Sequence, residues 1–127
     1  MLVSPADFVA KAKATIKECT VSQVEEFLNS DTILVDIREP EEYARGHIPG
    51  AIHVPRGMLE FQILKTLEHI GATTDPADAD MVLYCGTGGR SALAAKSMDD
   101  MGFRNVRSMD GGIVAWNEAG LPVDKPA

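Results

Sequence analysis

Basic residues are in short supply in this 127-residue chain: twelve lysines and arginines stand against nineteen acids, a formal charge of −7. Proteins that follow a phosphate backbone or an anionic bilayer need a basic face. Nucleic acid and membrane surfaces are therefore not expected as partners. Long apolar runs are missing too, since no window approaches the roughly twenty residues that span a bilayer. The start, Met1-Leu2-Val3-Ser4-Pro5, lacks the basic residues and apolar stretch of a secretory signal. Cysteine occurs only at Cys19 and Cys85. Without an export signal, both are expected to be thiols of a reducing cytoplasm. The three histidines, His47, His53 and His69, have no second ligand at a metal-binding spacing, so no metal is expected, and the cysteine chemistry described below calls for no organic cofactor. Repeats, linkers and low-complexity segments are absent as well.

The 45% hydrophobic and 24% charged content describes one ordinary globular domain over residues 1–127, with a helical extension at 1–18 and a tail at 121–127. Ser4-Pro5 offers a capping hydroxyl and a proline at the first helical position. Phe8, Ala12 and Ile16 then form a stripe that packs on the body or, alternatively, on a second copy, so a monomer or weak dimer is expected. Cys19-Thr20-Val21 reads as a short edge strand with Cys19 packed as a small apolar residue. A resolving role for Cys19 toward Cys85 stays open. Ser22-Gln23-Val24-Glu25 has the pattern of a capping box opening a helix through Leu28.

The β-branched run 32–37 predicts a strand buried on both faces, with Asp36 and Arg38 at its end read as a structural ion pair or loop anchor, a role at the active-site rim being the alternative. Residues 40–45 predict a helical turn or two, stopped by Gly46. Residues 51–54 predict a strand. From Pro55 a helix is expected to about Ile70, apolar over more than one face, with the surplus around Met58 and Leu59 free for a pocket or a partner. Residues 73–80 form a polar connection, and a strand over 81–84 follows. A strand over 106–109 and a last helix carrying Ile113 and Trp116 complete the chain. Alternating strands and helices imply an α/β fold, a central parallel sheet with helices on both faces.

The stretch Val82-Leu-Tyr-Cys-Gly-Thr-Gly-Gly-Arg-Ser91 carries the chemistry. A strand ends in Cys85, a turn containing Gly86, Gly88 and Gly89 follows, and Arg90-Ser91 opens a helix. Amides at a helix start have no intrahelical partner and favour an anion. A thiol placed among them is expected to titrate below about 8.5 and act as a nucleophile. That chemistry requires a sulfur that is both ionised and open to solvent.

The chain resembles the single-domain rhodaneses, a family of sulfurtransferases. The resemblance rests on Val35-Asp36-Ile37-Arg38, Glu42-Tyr43, Gly46-His47-Ile48-Pro49-Gly50-Ala51, His53-Val54-Pro55, the loop from Cys85 to Arg90, and Gly111-Gly112 with Ala115-Trp116. It implies that Cys85 is the catalytic nucleophile, taking sulfane sulfur from thiosulfate or a persulfide and passing it to a thiol or to cyanide. The backbone of Gly86, Thr87, Gly88, Gly89 and Arg90 would hold the anionic sulfur. It also implies a fold-marking His47 and a core Trp116. Arg56 matches a position that faces the pocket in related domains; a solvated arginine is the alternative. Cysteine phosphatases use a similar loop one residue longer, so an arsenate reductase or phosphatase is disfavoured. A non-catalytic partner-binding or redox-sensing module is the remaining alternative. Many thiosulfate-active relatives have a basic residue directly after the cysteine, where this chain has Gly86. Attraction for a dianion is therefore expected to be modest, with a small or protein persulfide as the donor.

Overall fold

The computed structural model describes residues 1–72 and 75–126. Five strands form one sheet: Lys17–Cys19 (β1), Ile33–Asp36 (β2), Ile52–His53 (β3), Met81–Tyr84 (β4) and Val106–Met109 (β5). Their order is β1-β5-β4-β2-β3, and every neighbouring pair is parallel. Six helices connect them: Pro5–Lys13 (α1), Val21–Phe27 (α2), Pro40–Arg45 (α3), Leu59–Ile70 (α4), Gly89–Met101 (α5) and Gly112–Glu118 (α6). This is the α/β architecture expected from the alternation of elements.

Side chains alternate between the faces of a strand, and β4 shows how that divides the core. Met81, Leu83 and Cys85 join Leu59, Ile63 and Leu67 of α4 and Ala94, Ala95 and Met98 of α5 on one face. Val82 and Tyr84 join Val24 of α2 and Ile113 and Trp116 of α6 on the other. Helices thus cover both sides. Strand β4 lies in the middle of the sheet, so the loop that follows it leaves the centre of the carboxyl edge, where α/β folds place their ligands.

Several local expectations shift. Strand β1 is Lys17–Cys19, two residues earlier than read, because Cys19 is paired opposite Met109. Thr20 is therefore the first residue free to cap α2: its hydroxyl accepts from Gln23 N at 3.2 Å, and Gln23 Oε1 accepts from Thr20 N at 2.9 Å. The capping box is real but belongs to Thr20 rather than Ser22. Helix α1 starts at Pro5 with Ser4 as cap, as expected. It ends at Lys13, before Ile16, and Phe8 remains 55% exposed while Ala12 is buried. In α4 the buried residues Leu59, Ile63 and Leu67 recur every four positions, so Leu59, expected in the outward surplus, belongs to the core, and the exposed apolar residues are Met58 just before the helix with Phe61 and Leu64. A single 3-10 turn over Arg56–Met58 precedes that helix.

The segment read as a tail is pinned. His47 and Asp124 exchange backbone hydrogen bonds of 2.9 Å, and Trp116 Nε1 donates to the Pro122 carbonyl at 2.8 Å. Residues 73–74 of the polar connection and Ala127 lie outside the described residues. No helix among those described is long and apolar enough to cross a membrane.

Candidate active site

The sulfur of Cys85 sits where β4 meets α5. Gly88 N donates to Sγ at 3.1 Å and Ser91 N at 3.4 Å. Ser91 Oγ lies 3.5 Å from Sγ and 2.8 Å from Ser108 Oγ. A thiolate only accepts, which orients that relay: Ser108 donates to Ser91, and Ser91 donates to sulfur. Burial pushes the thiol up, but the Ser91 hydroxyl and the amides of Ser91, Gly88 and Thr87 outweigh it and hold Cys85 below the ordinary thiol range. Ionisation is thus favoured, as expected.

Openness is not. Cys85 is only 1% exposed, against the requirement for a solvent-open sulfur. The Gly88 and Ser91 amides turn onto the sulfur, and Cys85 belongs to the core cluster of α4 and α5. Of the loop residues Thr87 is exposed, Gly86, Gly89 and Arg90 are half-buried, and Gly88 is buried. Access to the sulfur therefore needs the loop to move.

Of the five loop amides read as the anion cradle, Gly88 bonds the sulfur directly and Thr87 contributes through its backbone. The amides of Gly86, Gly89 and Arg90 are not among the sulfur's hydrogen-bond partners. Those of Gly89 and Arg90 lie in the first turn of α5, where a helix offers no acceptor. Gly88 caps the helix with φ +105°, and a β-carbon there would meet Gly111 N at 3.2 Å. Only glycine suits both the angle and the space.

Arg90 is the loop's one cation, and it is already engaged. Its guanidinium binds Glu42 through two parallel bonds, 2.8 and 3.0 Å, from Nη1 and Nη2. Arg90 in turn holds the Glu42 carboxyl down at about 2, so the pair persists through the neutral range. The sequence reading quoted Glu42 without giving it a role, because nothing in the linear order places it beside residue 90. Ser91, Ser108 and the start of α6 were missed for the same reason. Ile113 N and Val114 N donate to the carbonyls of Cys85 and Gly86 at 2.9 and 3.0 Å. These bonds engage the carbonyl oxygens with α6 and so keep acceptors away from the anion.

The other singled-out residues lie apart. Arg56 Nη1 binds both oxygens of Glu60, at 2.9 and 2.8 Å, and Glu60 accepts from Ser97 Oγ at 2.6 Å. Arg56 lines a cavity with Phe8, Leu93 and Lys96, and none of the Cys85-to-Arg90 loop shares it. Asp36 and Arg38 form the structural pair expected of them: Nη2 to Oδ2 is 2.8 Å, and Tyr84 Oη donates to the same oxygen at 2.7 Å. Arg38 Nη2 also reaches the Gly46 carbonyl at 2.7 Å. His47 stacks on Tyr43 at 4.0 Å, and His53 stacks on that same ring at 4.4 Å. No cluster of three metal-ligating side chains occurs among the described residues. Cys19 is buried in the core on the opposite face of the sheet from Cys85, and burial pushes its thiol up to about 11. That suits packing, not resolving chemistry.

Residues 20–119 match the Rhodanese-like domain family. A sulfurtransferase of Allochromatium vinosum is 36% identical over 96 residues, 76% of this chain and 81% of that protein. A solved protein of unknown function from Rhodopseudomonas palustris, described as a possible tyrosine phosphatase, is similar at 34% identity and a TM-score of 0.80. The match covers 98% of this chain and 96% of that one. The polysulfide-sulfur transferase homodimer of Wolinella succinogenes matches at 31% identity and a TM-score of 0.73, over 94% and 85% of the two chains.

Proposed function

The chain belongs to the rhodanese-like domain family, and from that premise we propose that it is a sulfurtransferase carrying sulfane sulfur on Cys85. The observation that bears most weight is the Cys85 sulfur accepting from the Gly88 and Ser91 amides at the start of a thirteen-residue helix. In the first step the Cys85 thiolate attacks the outer sulfur of thiosulfate. The sulfur–sulfur bond of the donor breaks, its electron pair leaves with sulfite, and a Cys85 persulfide remains. In the second step an acceptor thiolate, or cyanide, attacks that outer sulfur and returns Cys85 as thiolate.

Both anions stay in one cradle. Amides that the thiol sulfur leaves unused, such as those of Gly89 and Arg90, serve the added sulfur in the manner of an oxyanion hole. The loop opens at Thr87, its exposed residue, to admit the donor. With Arg90 neutralised by Glu42 and the protein at −7, a dianion is weakly attracted. A low-molecular-weight or protein persulfide in a reducing cytoplasm is therefore the preferred donor, and no metal or organic cofactor takes part.

The near-complete burial of Cys85 favours a second reading, a redox-sensing or partner-binding module whose loop stays shut. Phosphate hydrolysis fits less well, because the Arg90 fork that would grip a phosphate already holds Glu42. Intact-protein mass spectrometry after thiosulfate treatment separates these. The sulfurtransferase gains one sulfur atom, and Cys85→Ser gains none. An unmodified wild type after treatment with both thiosulfate and a small persulfide overturns the proposal.

A further inference from the structure

Helix α1 lies outside the family-matched segment, yet it borders the reactive loop. Val9 Cγ2 stands 3.7 Å from where a side chain on Gly89 would begin. Between the two runs a groove of about 460 Å³, walled by Ala6, Val9 and Ala10 on the helix and by Thr87 and Gly89 on the loop. The groove is shallow and largely open to solvent. Its lining thus includes two residues of the Cys85 loop, one of them the exposed Thr87.

Charge in the groove is cancelled. Lys13 is the one cation on its wall, and it binds Asp110 at 3.0 Å and Glu18 at 3.5 Å. The nearest loop cation, Arg90, is held by Glu42. Beyond the Gly89 amide at its loop end, an anionic body would meet no free positive charge here, whereas methylene groups would cover the exposed Ala6 and Ala10. A sulfur at the loop end of the groove would lie beside Thr87 and Gly89, two residues of the loop that follows Cys85.

We propose that this groove seats the apolar body of a small uncharged acceptor thiol while its sulfur takes the outer sulfur of the Cys85 persulfide. The acceptor thiolate bonds to that sulfur, the sulfur–sulfur bond to Cys85 breaks, and the electron pair returns to Cys85. Helix α1, outside the segment the family model matches, is then a specificity element. The inference rests on the sulfurtransferase reading.

The test compares acceptors in one assay with thiosulfate as donor: cyanide, which has no body, then 2-mercaptoethanol, 4-mercaptobutanol and 6-mercaptohexanol. Full burial of a methylene is worth about fourfold, and a shallow groove realises part of that, so kcat/KM should rise roughly tenfold along the thiol series. Ala10→Glu, at an exposed helical position that tolerates it, should reduce the rise below about threefold, and Ala10→Leu should steepen it. Turnover of cyanide with a flat thiol series, or a rise that neither variant alters, overturns the inference and leaves the sulfurtransferase reading intact. No transfer to any acceptor, cyanide included, overturns both. A preference that disappears as protein concentration rises, with dimers seen by light scattering, assigns the groove to a second copy and also overturns it.

Discussion

Ser91 and Glu42 divide the work of keeping one sulfur charged and one arginine quiet. The serine sits fully buried at the third position of α5, where its amide and hydroxyl both reach Cys85 Sγ. The glutamate comes from α3 and binds both terminal nitrogens of Arg90, whose guanidinium also faces the Cys85 sulfur. Neither role was legible in the linear sequence. Cys85 and its glycines announce themselves by spacing, but partners recruited through space depend on how α3 and β5 dock. Glu42 also sets the affinity for anions. Glu42→Gln keeps the cap bond to Glu39 N and releases one positive charge beside the loop. At low ionic strength it should raise kcat/KM for thiosulfate about three- to tenfold, an advantage that fades as salt is added. An unchanged or lower value, measured across a salt series, contradicts this electrostatic account.

Elements explain why the loop holds its shape. The strand over 81–84 and the following helix were readable because an apolar run, a glycine cluster and an alanine-rich segment follow in order. The limits of β1 and α2 were not, since register against β5 fixes them and the sequence does not display that pairing. The start of α6 entered the sequence reading only through the Gly111-Gly112 of the family resemblance. In the structure it is the back wall of the reactive loop. Gly112 has φ +57°, and a β-carbon there would lie 2.6 Å from the Cys85 carbonyl oxygen and overlap that of Gly86. Gly112→Ala must therefore push these carbonyls away. It should lower stability by about 1–3 kcal/mol in denaturant titration. Sulfur transfer should fall roughly a hundredfold for a loop shift of about 1 Å. Activity within twofold of wild type would show that the contact between α6 and the loop is incidental.

At the scale of the whole molecule, a buried polar network ties the sheet to its loops. Asp36 receives Arg38 and Tyr84, Tyr84 Oη accepts from Ile48 N at 3.0 Å, and Arg38 reaches the Gly46 carbonyl. The sequence reading placed the ion pair correctly, because two charges beside an apolar strand must find partners. It did not foresee that residues 121–124 close the same region through His47, a contact only the folded chain displays. Asp36→Asn keeps the size and removes the charge, leaving Arg38 buried and uncompensated. The expected cost is roughly 3–5 kcal/mol in urea unfolding, and a loss under 1 kcal/mol would mean that water already reaches the pair.

Function depends finally on whether this fold keeps a buried sulfur ionised. The direct measurement is the ultraviolet thiolate absorbance of the intact protein followed against pH, with Cys85→Ser subtracted. The account predicts one thiolate that appears below the ordinary thiol range and moves upward in Ser91→Ala, while Cys19 titrates far into the alkaline range. A Cys85 signal that emerges only alongside that of Cys19 would contradict it.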